Sequence, residues 1–128
     1  MNRNKHTFQF SGSAIAEAAG REAEYHGVRL AWWTAEQDKA TRAAKEKGIE
    51  IREYDVTGGK RAEMVIDATL QGRLTECANK IYAHRKAAEQ FRIEAGAYAA
   101  NPTRVYELDP EDVVYFRLAG LSASQRED

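Results

Sequence analysis

Two stretches of the chain repeat apolar positions at steps of three and four, the pattern of a helix with one buried face. The first runs Ile15, Ala19, Ala23, His26, Leu30, Trp33, Gln37, Ala40, Ala44. The second runs Leu70, Leu74, Cys77, Ile81, His84, Ala88, Phe91, Ala95, Tyr98. A single helix over 13–47 would be about 50 Å long. Two features resist that reading. Gly20 and Gly27 each cost about 1 kcal/mol relative to alanine in a helix interior, and Thr34 with Gln37 has the form of a capping box. The competing arrangement breaks the chain at His26–Gly27, extends Val28–Trp33 and starts a second helix at Thr34. The unbroken stripe favours one long helix, ended by Gly48 with Lys45 and Lys47 near its carbonyl end. The second long helix is predicted over Ala68–Ala100. It stops at Asn101–Pro102, because proline disfavours helix at the residue before it and lacks an N–H.

Between these helices, Gly48–Asp67 reads as a β-hairpin about a two-residue Gly58-Gly59 loop. That loop places Ile51 opposite Ile66 and Glu53 opposite Met64; a helix starting near Lys60 is the rival. Alternating Phe8 and Phe10 predict a short strand over Thr7–Phe10, with Ser11, Gly12 and Ser13 supplying a turn and an N-cap. Arg104–Leu108 predicts another strand. Asp109-Pro110-Glu111-Asp112 then opens a short helix to about Ala119. The expected fold class is α+β: two long helices linked by a β-hairpin, with a small antiparallel sheet completed by short N- and C-terminal strands. Residues 1–120 are expected to form one domain and 121–128 a frayed tail.

Composition changes this picture in one respect. Of 128 residues 43% are hydrophobic, yet 22 of them are alanine, leaving 33 larger apolar side chains. Alanine favours helix but buries little apolar surface, so the core is thin and a homo-oligomer is expected to complete it. Nineteen basic and twenty acidic residues give a net charge of −1, which excludes bulk polyelectrolyte character and leaves only local patches for anionic partners. No apolar run has the length of a membrane span. The lone Cys77 points to a reducing cytoplasmic setting without disulfides. No cofactor or metal is expected.

Three sets of residues carry candidate chemistry. On the second helix, Arg73, Lys80, Arg85, Lys86 and Arg92 against Glu76 and Glu89 give a local charge of +3. Arg85, Arg92 and Lys86, with Tyr82 beside them and His84 nearby, make a face suited to a nucleotide or nucleic acid. Residues from Asn101 onward carry six acids against three arginines, so the same basic face would also suit a neighbouring subunit. On the first helix, Trp32 and Trp33 point about 100° apart; with Trp33 in the stripe, Trp32 sits at its edge beside Tyr25 and Arg29, a protein interface candidate. Finally, His26 and His84 each interrupt an apolar stripe at a similar height if the helices run antiparallel, and hairpin carboxylates Glu50, Glu53, Asp55, Glu63 and Asp67 cluster. Cys77 has no histidine three or four residues away, and Thr57-Gly58-Gly59-Lys60 lacks the spacing of a phosphate loop. The leading expectation is a non-enzymatic oligomeric binding or adaptor protein that occupies or sequesters a target, a role frequent among small accessory proteins of phages and mobile elements. The alternative is an anionic-ligand binder using the second helix, and the third a small enzyme using His84 or the hairpin carboxylates.

Overall fold

The computed structural model describes residues 7–49, 52–56, 60–64 and 67–118, with backbone alone for 52–56 and 60–64. In chain order the elements are β1 (Phe8–Ser11), α1 (Gly12–Glu46), β2 (Arg52–Val56), β3 (Lys60–Met64), α2 (Ala68–Ala99), β4 (Val105–Leu108) and α3 (Pro110–Tyr115). The molecule is mostly helical, and α1 is one continuous helix of 35 residues. The capping box at Thr34 is not used. Its hydroxyl donates to the Leu30 carbonyl one turn back at 2.8 Å, so it serves the interior of a helix rather than starting one.

The ends of α1 show why it starts and stops where it does. Ser11 caps the start, its Oγ accepting from the Ala14 amide at 3.1 Å. The Gly12 and Ser13 amides donate to the Arg104 and Pro102 carbonyls at 2.8 and 2.9 Å, which satisfies two further orphan donors. Gly12 is buried where the chain after α2 crosses it: a Cβ there would fall on the Asn101 carbonyl oxygen, with that of Tyr98 2.8 Å away. At the far end Gly48 adopts φ +73°. Its amide bonds Lys45 O at 3.0 Å and the Ile49 amide bonds Ala44 O at 2.9 Å, the two bonds of a Schellman stop.

The strands differ from expectation in pairing. β1 and β4 do not extend the hairpin's sheet; they pair with each other, antiparallel, Phe8 opposite Leu108 and Ser11 opposite Val105. β2 and β3 form a separate antiparallel pair with Arg52 opposite Met64 and Val56 opposite Lys60. That register is one residue from the two-residue-loop expectation, which placed Glu53 opposite Met64. Three residues, 57–59, separate the last pair, so every cross-strand partner changes. Residues 60–64 are strand, not helix. The expected Ile51–Ile66 pair and residues 57–59 themselves lie outside the described residues, as does the 121–128 tail. α3 ends at Tyr115, short of Ala119.

Two compact units result, one formed by the chain up to His26 and from Ala87 onward, the other by Gly27–Lys86. In the first, Ile15, Ala18, Ala19, Ala23, Phe91, Leu108, Val113, Phe116 and Leu118 form the core. The alanines let large rings fill the space: Phe91 stacks on Tyr115 at 4.7 Å, and Tyr98 meets Phe116 edge-on at 5.8 Å. α3 is capped by Asp109, whose Oδ1 accepts from the Asp112 amide at 2.9 Å, with Pro110 at its first position. Arg117 then turns left-handed, φ 56°, and its Nε lies 3.9 Å from a carboxylate oxygen of buried Glu22. In the second unit Trp33, Ala44, Leu74, Cys77 and His84 are buried. No helix among the described residues is long and apolar enough to cross a membrane.

Candidate functional site

The second unit carries most of the candidate residues. Trp33 is 5% exposed and Trp32 43% exposed, the division expected from Trp33's place in the stripe. Their rings meet edge-on at 4.9 Å. The buried Trp33 ring is covered by cations of α2, the Arg73 guanidinium at 5.3 Å and the Lys80 ammonium at 5.9 Å from its centroid. Arg73 also bonds Glu36 and Glu76, each at 2.8 Å, and Glu36 receives Lys39 at 3.1 Å. The hydrogen bond from Lys39, joined by that from Arg73, holds the Glu36 carboxyl below its usual range. These charges fix α1 against α2 within this unit around Trp33.

The outer side of α1 is different. Val28 is 63% exposed, one turn before exposed Trp32, and the Arg29 guanidinium lies 4.7 Å over the Trp32 ring. A cation held over an exposed indole keeps a large flat side chain presented, the arrangement enriched at binding hot spots. Tyr25, half-buried, belongs to the first unit, edge-on to His26 at 5.1 Å. Val28 escaped the sequence reading. Its signal was its position one helical turn from Trp32 and off the buried stripe.

On α2, Arg85 and Lys86 are exposed and Tyr82 is half-buried. The Lys86 ammonium lies 5.6 Å from the Tyr82 ring centroid. Arg92, also exposed, belongs to the first unit. His84 is 4% exposed, inside the second unit rather than on this face. His26 is in the first unit, stacked parallel on Phe91 at 5.8 Å. Among the described residues no group of three or more His, Cys, Asp or Glu side chains is placed to hold a metal ion. Of the hairpin carboxylates only Asp67 is described with its side chain, and it caps α2 through the Leu70 amide at 2.8 Å.

A cavity of about 340 Å³ lies by the end of α1, lined by Ala43, Ala44, Lys47, Ile49, Asp67, Thr69, Leu70 and Arg73. Its wall is mainly aliphatic, and its Asp67 and Arg73 groups are committed to the cap and the ion pairs above.

Comparison with protein-family models, curated proteins and solved structures finds nothing similar to this chain.

Proposed function

We propose that this chain is a non-enzymatic, self-associating binding protein of the cytoplasm that occupies or sequesters a target. The observation that carries the reading is the exposed Val28–Trp32 pair on α1 with Arg29 laid over the indole. A thin, alanine-rich core supports it, because apolar area not buried within one chain is available for burial between chains. The test is the mass in solution by light scattering. A species of at least twice 14.4 kDa is expected at micromolar concentration, with Trp32→Ala shifting it towards monomer. A wild-type monomer throughout that range overturns the reading.

A second reading rests on the exposure of Arg85 and Lys86 beside Tyr82, which suits a phosphate-bearing ligand. The Lys86 ammonium over the Tyr82 ring stands against it, since it covers the ring on which a base would stack. An absorbance ratio showing nucleotide or nucleic acid carried through purification of the same sample would favour this second reading.

A further inference from the structure

The groove beside the end of α1 is built from two helix ends of one unit. Its lining falls between residues 43 and 73, all within Gly27–Lys86. Gly48, at φ +73°, turns the chain back, and the Ile49 amide bonded to the Ala44 carbonyl at 2.9 Å lays Ile49 against the last turn of α1. The first turn of α2 supplies Thr69 and Leu70. Depth sorts these residues by chemistry. Ala44 is 1% exposed and Ile49 and Leu70 are half-buried, whereas Lys47, Asp67 and Thr69 are exposed. Arg73 is half-buried too, with its charge committed to Glu36 and Glu76. The groove therefore has an aliphatic floor and a polar rim.

We propose that this groove binds a medium-chain alkanoate, its hydrocarbon chain on the floor and its carboxylate at the rim. At about 340 Å³ it stands at the small end of pockets that hold ligands, roughly 300–1,000 Å³. Its apolar lining, Ala43, Ala44, Ile49 and Leu70, offers no aromatic ring for a base and no hydrogen bond for a sugar, and so suits a plain aliphatic chain. The rim decides the headgroup. Asp67 accepts from the Leu70 amide at 2.8 Å and so holds the start of α2. The Lys47 ammonium and the Thr69 hydroxyl have no side-chain partner among the described residues. An ammonium only donates and a hydroxyl can donate, while a carboxylate brings two accepting oxygens and the opposite charge. A cationic headgroup would meet Lys47 as a like charge and find only Asp67, already engaged. Binding of this kind needs one chain alone and is independent of the self-association proposed above.

The test is a calorimetric titration of the full chain with octanoate in a carboxylate-free buffer, with 1-octanol and octylamine as neutral and cationic counterparts of the same length. Octanoate is expected to bind with a Kd of about 0.1–1 mM, and hexanoate, two methylenes shorter, about tenfold more weakly. Lys47→Gln is expected to weaken octanoate about threefold to fivefold and to leave 1-octanol unchanged. Ala43→Leu, which fills the groove with a good helix former, is expected to abolish binding of both. Should that variant disturb the fold, the methyl resonances of Ala44, Ile49 and Leu70 in the wild-type chain locate the ligand without it. Absence of saturable octanoate binding up to about 5 mM overturns the proposal. It is overturned equally by octylamine binding as tightly as octanoate, or by octanoate shifts that miss those methyls. A Lys47→Gln chain that still prefers octanoate over 1-octanol to the wild-type degree overturns it as well.

Discussion

Two glycines of α1 face opposite conditions and should respond oppositely to the same methyl group. At Gly12 the added carbon meets the Asn101 and Tyr98 carbonyl oxygens, backbone atoms that yield only if the last turn of α2 and the chain after it move. Gly12→Ala is expected to destabilise by about 1–3 kcal/mol. At Gly20 nothing lies within 4 Å of the added carbon, so Gly20→Ala removes only the entropic penalty of glycine in a helix. It is expected to stabilise by about 0.5–1 kcal/mol. Urea midpoints of the two variants test both signs. Arg117 is the complementary case, a side chain in a left-handed conformation that glycine usually fills. Its guanidinium lies near Glu22, which is 4% exposed. A cation near a buried carboxylate offsets part of the cost of burying its charge.

At the scale of elements, the cap of α3 is open to a clean test. Asp109→Ala removes the acceptor for the Asp112 amide and is expected to cost about 1 kcal/mol. Asp109→Asn keeps an oxygen there and is expected to retain most of that stability in thermal melts. This cap was legible because its Asp-Pro-Glu-Asp signal is local. Both long stripes were legible for the same reason: period, not context, defines them, and every position from Ile15 to Ala44 and from Leu70 to Tyr98 in those stripes is buried or half-buried. What failed was partnership. Four alternating residues announce a strand but not its neighbour, so β1 and β4 were placed on the wrong sheet. A Gly-Gly pair admits loops of two or three residues, and the register slipped by one. Thr34 shows the remaining ambiguity, since a hydroxyl that can cap a helix can equally bond back to Leu30 within one. Of the candidate site, Trp32 at the stripe's edge was legible.

For the whole molecule, the phenols of the first unit set a limit on the alkaline side. Burial, together with the hydrogen bond Tyr115 donates to Glu94 at 2.7 Å, raises the Tyr115 ionisation well above that of a free phenol. Burial also raises that of Tyr98, with Glu94 and Asp112 adding to it. A group raised on folding contributes stability that is complete below its unfolded value, about 10 for tyrosine, and is lost as pH climbs through the folded value. Wild-type stability is therefore expected to fall above about pH 10. Tyr115→Phe, starting lower for want of its hydrogen bond, should fall less steeply. Urea midpoints between pH 8 and 11 follow the slope directly.

The pairing of β1 with β4 also has a consequence in time. Phe8 and Leu108 are partners across the sheet, so the first of these strands leaves the ribosome 100 residues ahead of the second. At roughly 5–20 residues per second that is a wait of roughly 5–20 s. During it the amides at the head of α1, whose acceptors are the Pro102 and Arg104 carbonyls, have not yet met them. Nascent α1 must begin as a helix with a provisional start, and it acquires its fixed one only when the loop after α2 has been made.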